Sequence, residues 1–138
     1  IAMSDWSSDV CSSDLPSIHA GGLRYHGDSP LVCQLYNEKL IEAIAVPQIA
    51  TFEAGVQFAR AEGIIPAPES CHAIRAVIDE ALRCKASGEK KTLFFNLSGH
   101  GHFDMASYDK YFAGELVDYE YPEAAVKEAL KRLPKIAA

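Results

Sequence analysis

One run, T-L-F-F-N-L-S-G-H-G-H-F-D from Thr92 to Asp104, limits what this chain can fold into more than any other. Thr92 to Leu97 is β-prone, largely apolar and free of charge, the pattern of a buried strand. It breaks at Ser98-Gly99-His100-Gly101, and Asp104 follows as an N-cap for the next segment. A strand ending in a hydroxyl and two glycines is where an open α/β sheet holds its ligand. Glycines admit the ligand to the backbone, and a side chain can face the crevice. Ser98 is therefore the first candidate site residue, with Gly99 and Gly101 beside it. The chain has 138 residues, one domain or part of one, and 49% hydrophobic against 23% charged is enough to bury a core.

Helical spacing surrounds the run. Asp28-Ser29-Pro30 opens a helix, with Ser29 as cap and Pro30 in the first turn. Leu40 to Val46 reads as a short strand closed by Pro47, from its β-branched content. Between Pro47 and Ala61, Ile49, Phe52, Val56 and Ala59 recur at helical steps, and Gly63 stands at the C-cap. Two prolines make 62–70 a tight joint. Glu69 then opens the clearest helix, with Ile74, Val77, Ile78, Ala81 and Leu82 on one face and Ser87-Gly88 at its end. A carboxylate in the first turn is favoured by the helix dipole, so Glu69 has a purely structural reading as well. Past Asp104, Met105, Tyr108, Tyr111 and Phe112 share one side. An acidic link over 114–121 leads to a final amphipathic helix expected from Pro122 to Leu133.

Two stretches stand apart. Ser and Asp supply eight of residues 1–15, with no periodicity. From Asp5 to Leu15 the sequence resembles the conceptual translation of a common DNA sequencing adapter. Residues 1–15 are thus expected to be a non-native segment, leaving 16–138 as a partial α/β domain. Pro16 to Pro30 is a Gly-rich loop carrying His19, Arg24, Tyr25 and His26. Such a loop can line a site, although an ordinary surface connection is the plainer reading.

A net charge of −6, with no basic cluster longer than Lys90-Lys91, argues against a nucleic-acid surface. No run approaches the ~18 apolar residues of a membrane span. Cys11, Cys33, Cys71 and Cys84 show no C-x-x-C, which reads as reduced thiols of a cytoplasmic protein. His100, His102 and Asp104 make a weak H-x-H-x-D pattern, and no metal is expected there. N-L-S-G-H lacks the glycine two places before the serine that a nucleophile elbow requires. Phosphate binding by Gly99-His100-Gly101 is physically sensible, but a lone G-x-G says little.

Three motifs go further. H-A-G-G-L-R-Y-H-G at 19–27, E-G-I-I-P-A-P-E-S-C-H-A at 62–73 and N-L-S-G-H-G-H-F-D at 96–104 together resemble the tryptophan synthase beta chains, most closely the longer, second type. The resemblance runs from about Pro16 onward in one order. It implies the C-terminal part of a fold-type-II pyridoxal 5'-phosphate enzyme, with short parallel strands flanked by helices. The implied reaction replaces the hydroxyl of L-serine by indole, giving L-tryptophan and water.

Carried over to this sequence, Ser98 takes the place of the serine facing the pyridine nitrogen, and Glu69 that of an acid near the same ring edge. Gly99 and Gly101 are implied to leave space for the ring. A neutral hydroxyl does not hold that nitrogen protonated as a carboxylate would, which favours β-replacement over transamination. Gly22 and Arg24 fall on the substrate-side loop. Arg24 stands where better-known beta chains have aspartate, and His100 where many have arginine; both departures fit the second type and bear on the acceptor. Loop carbonyls around Tyr25 and Gly27 correspond to part of a monovalent-cation site. The implied partners are L-serine, indole, a second copy in a homodimer and an alpha subunit, with no nucleic acid and no membrane. The family's Schiff-base lysine, glutamate acid/base and phosphate loop are expected before Pro16. The chain by itself therefore carries no catalytic residue and is expected to be inactive. Two alternatives stay open: a serine or threonine dehydratase-like lyase, and a non-catalytic α/β binding domain.

Overall fold

The computed structural model of the chain describes residues 19, 20, 23, 29–118, 127 and 131. Residues 1–15, Gly22, Arg24, Tyr25 and Gly27 lie outside that set, as does most of the helix expected over 122–133. Helices α1 (Pro30–Asn37), α2 (Gln48–Glu62), α3 (Pro68–Ser87) and α4 (Met105–Phe112) follow in chain order. Lys127 and Lys131 are helical.

The helix ends fall where the sequence put them, although Asp104 stands before α4 without a side-chain cap bond. Ser29 is extended and its side chain accepts from the Val32 N–H at 3.3 Å, opening α1. Pro47 has no side-chain oxygen to open α2, and Asp118 does so from far along the chain: Ile49 N–H donates to its carboxylate at 2.9 Å. A carboxylate at that end also meets the positive pole of the helix. Gly63 (φ 70°) and Gly88 (φ 74°) end α2 and α3 in the left-handed conformation that other residues avoid.

The core is small and aromatic. α2 packs along α3, and Phe52, Cys71, Tyr108 and Leu116 form the buried cluster, with Val56, Ile65 and Tyr111 against it. The Phe52 ring meets Tyr108 edge-on at 5.1 Å and stacks on Tyr111 at 5.8 Å. On α2 the buried set is Thr51, Phe52, Ala54 and Gly55, whereas Ile49 is exposed. Small residues decide this. A Cβ at Gly55 would sit 2.5 Å from Cys71 Sγ, so the Ala54-Gly55 side approaches α3 closely and widens the buried face beyond the expected Phe52 and Val56. Of the expected α3 face, Ile74 is buried and Val77 and Ile78 are half-buried, but Ala81 and Leu82 are exposed; Cys71, outside that set, is buried too. Cys71 and Cys84 are free buried thiols on that helix.

Both expected strands differ from expectation. Leu40 to Val46 is an irregular connection with Leu40 and Ile44 outward. β-branched residues favour a pleated, half-buried surface, and no neighbouring strand offers one among the described residues. Thr92 to Leu97 is extended and alternates: Leu93 and Phe95 are half-buried, Phe94 is 89% exposed. Phe95 meets Phe58 of α2 edge-on at 6.0 Å. Burial on both faces needs neighbours on both, and among the described residues only the helical side is supplied. The one β pairing among them is an isolated antiparallel bridge, Pro66 to His100.

Burial pushes the Tyr108 phenol up from its ordinary 10.0, and burial likewise raises the Cys71 thiol from 9.0. Both groups bind protons more tightly folded than unfolded. Their contribution to stability is complete below the unfolded values and is lost as pH rises past them. The urea midpoint should therefore fall on going from roughly pH 8 to pH 11. Tyr108→Phe should lower the midpoint at the neutral end and flatten the alkaline decline; equal slopes in both proteins would contradict this.

Candidate functional site

The E-G-I-I-P-A-P-E-S joint and the S-G-H-G turn meet as two extended backbones. Gly101 N–H donates to the Ile65 carbonyl at 2.8 Å, and Ala67 N–H to the Gly99 carbonyl at 3.0 Å, flanking the Pro66–His100 bridge. Pro66 and Pro68 keep the joint extended, and neither has an N–H to leave unsatisfied. Behind the seam, the buried Tyr108 hydroxyl donates to the Pro66 carbonyl at 2.6 Å and lies 3.4 Å from Cys71 Sγ.

Gly101 is needed for this approach, and Gly99 leaves little room beside it. A Cβ at Gly101 would fall 2.5 Å from the Pro66 carbonyl oxygen and 2.9 Å from Ile65 Cγ2; one at Gly99 would fall 3.2 Å from Ala67 Cβ. Neither has a positive φ. The turn therefore needs glycine at 101 for contact with its neighbour rather than for backbone freedom.

Ser98 is exposed at the rim of the seam. Its Oγ lies 2.9 Å from Ser70 Oγ, and Ser70, in the first turn of α3, is 1% exposed. Ser70 Oγ also accepts the Gly99 N–H at 3.2 Å. Glu69 is half-buried in the same turn, beside Ser70. The structure thus brings Ser98, Glu69, Gly99 and Gly101 into one neighbourhood through α3 and the seam. Ser70 and Tyr108 are the partners sequence reading missed. Ser70 was visible at the helix start, but no linear pattern joins position 70 to position 98. Gly22 and Arg24 lie outside the described residues.

The remaining candidate chemistry stays apart. The His100 and His102 rings lie 4.7 Å apart, and His100 Nδ1 accepts the His102 N–H at 3.3 Å. Among the described residues no three His, Cys, Asp or Glu side chains converge as a metal site would require. Lys85, Lys90 and Lys91 are exposed. Lys91 sits 3.1 Å from Glu80, whose hydrogen bond raises the ammonium pKa; Glu80 is held down to about 2, by Arg83 first and Lys91 second. An ammonium held charged in this way is a poor nucleophile. No helix among the described residues is long and apolar enough to cross a membrane.

No protein-family model matches the chain. Curated relatives do. It is 68% identical over 102 residues to tryptophan synthase beta chain 2 of Methanosarcina acetivorans, covering 74% of this chain and 23% of that one. The corresponding protein of Aquifex aeolicus is 67% identical over 101 residues, 73% of this chain and 23% of its own length. The tryptophan synthase beta chain of Pyrococcus horikoshii is 55% identical over 106 residues, 77% and 23% respectively. The chain spans about a quarter of the length of the curated relatives it matches. Identity at that level makes the matched stretch homologous to part of those chains. The α/β class stands with that kinship, and the dehydratase-like and non-catalytic alternatives are not favoured.

Gly101→Ala should open the seam. Forcing a methyl against a carbonyl oxygen costs about 1–3 kcal/mol. The checks are a lower urea midpoint and faster hydrogen exchange at the Ala67 amide; unchanged exchange there would contradict the role given to Gly101.

Proposed function

With the tryptophan synthase beta chains as the kin of this stretch, we propose that the chain supplies the ring-nitrogen edge of a pyridoxal 5'-phosphate site. The complete protein then replaces the hydroxyl of L-serine by indole, giving L-tryptophan and water. The observation that carries this is the Ser98 hydroxyl: exposed, fixed 2.9 Å from a buried partner, and set at the rim of the seam between α3 and the S-G-H-G turn.

The donor set fits the group. A hydroxyl with outward hydrogen-bonding capacity suits a pyridine nitrogen, and Glu69 in the first turn of α3 suits a place along the same edge. Gly99 and Gly101 belong to the site by holding the turn against Ile65–Ala67, which fixes where Ser98 points. Space for the ring is a weaker reason for these glycines, because a Cβ would meet the Pro66 carbonyl oxygen at Gly101 and the Ala67 side chain at Gly99. When bound, the cofactor supplies an electron sink for the substrate's carbon. Ser98 limits that sink by not forcing a proton onto the nitrogen, and Glu69 adds local negative charge. Gly22 and Arg24 belong to the proposal as parts of the substrate-side loop. So do the cytoplasmic location, a homodimer, an alpha subunit as partner and a monovalent cation near Tyr25 and Gly27.

Covalent attachment of the cofactor is assigned to a lysine beyond this stretch. The chain alone, incubated with pyridoxal phosphate and L-serine and reduced with borohydride, should show no site-selective lysine adduct above that of an unrelated lysine-rich protein. A stoichiometric adduct on Lys85, Lys90 or Lys91 would defeat the assignment. In the complete beta chain, Ser98→Asp should lower the β-replacement rate about tenfold or more, ~1.4 kcal/mol in the barrier. Transamination product should rise in its place. A wild-type product ratio in that variant would remove Ser98 from the ring nitrogen.

A further inference from the structure

The hydrogen-bond inventory at the seam gives the Ser98 hydroxyl a direction. Ser70 is 1% exposed, so its one proton must find a protein acceptor. One of its lone pairs is taken by the Gly99 N–H at 3.2 Å. Two acceptors are in reach of its proton: Ser98 Oγ at 2.9 Å and the Gly99 carbonyl at 3.5 Å. The carbonyl is the poorer partner, since hydroxyl bonds favour about 2.5–3.0 Å. It already receives the Ala67 N–H at 3.0 Å. If Ser98 donated to Ser70 instead, Ser70 would accept twice and keep only the 3.5 Å contact for a buried proton. The arrangement with Ser70 as donor satisfies every group.

We infer that Ser70 is a positioning residue: it donates to Ser98 Oγ, which leaves the Ser98 proton free to point outward. Ser98 then meets its ligand as a donor. With one of its two lone pairs taken by Ser70 and its proton outward, it favours an aromatic ring nitrogen with a free lone pair over a protonated one. This rests on the proposed placement of the pyridoxal ring at Ser98 and adds the residue that sets its polarity. Ser70 touches neither ring nor substrate; it acts through Ser98.

The test uses the complete beta chain as holoenzyme, loaded with pyridoxal phosphate carrying ¹⁵N in the ring and read by nitrogen NMR. In the unaltered protein the ring nitrogen should give the shift of an unprotonated, hydrogen-bonded pyridine; the shift of a pyridinium would overturn the inference. Ser70→Ala should move the resonance toward the free-pyridine position and weaken cofactor binding about 5- to 10-fold. Ser70→Thr, which keeps the hydroxyl, should return both toward the unaltered values. A Ser70→Thr protein with unaltered melting temperature and an alanine-like shift would overturn it as well. Ser98→Ala separates the two levels. If Ser98→Ala moves the resonance and Ser70→Ala does not, the inference fails and the ring placement stands. If Ser98→Ala leaves the resonance unmoved, the ring placement fails and the inference with it.

Discussion

Two backbone hydrogen bonds, Gly101 N–H to the Ile65 carbonyl and Ala67 N–H to the Gly99 carbonyl, are what the candidate site depends on. They join segments more than thirty residues apart in a region with no sheet among the described residues. Each bond contributes only about 1 kcal/mol net. Their effect is large because the close approach is exclusive: the Pro66 oxygen occupies the place a Gly101 side chain would need. Sequence choice at two glycines and two prolines therefore converts a pair of modest bonds into one defined geometry.

That geometry is backed by the core. Tyr108 places its ring against Phe52 and its hydroxyl on the Pro66 carbonyl, so α4, α2 and the seam meet at one side chain. Asp118 and Gln48 tie the far end of the described chain to the start of α2: Ile49 N–H reaches Asp118, and the Gln48 amide donates to the Val117 carbonyl at 3.1 Å. The outer faces are different. Phe94 is 89% exposed and Phe103 92%, apolar area that single-sided packing leaves open. This accords with a stretch covering about a quarter of its relatives' length.

Much of this was legible in the residues. Ser29-Pro30, Gly63 and Gly88 marked helix ends because their chemistry is local, and the structure uses all three. Ser98 with its glycines was legible as a candidate because a hydroxyl beside two glycines at the end of an extended run is a local pattern too. What periodicity could not reach was tertiary. The strand reading of Leu40–Val46 failed because β-branched content describes a surface that needs a neighbour. On α2 the expected Phe52 and Val56 do face the core, but the share taken by Ala54 and Gly55 went unread because they bury by smallness rather than by hydrophobicity. Ser70 went unassigned because its partner lies 28 positions away. The kinship with beta chains rested on whole motifs, and those were readable without any coordinates.

A crystal structure of the complete beta chain with pyridoxal phosphate bound, at a resolution that fixes side-chain oxygens, tests the central claim most directly. Ser98 Oγ should lie about 2.6–3.1 Å from the ring nitrogen, in hydrogen-bonding range. Ser70 Oγ should sit behind it and the Gly99–Gly101 turn should remain paired with Ile65–Ala67. A ring nitrogen facing any other side chain, or a seam opened to admit the ring, would contradict the account.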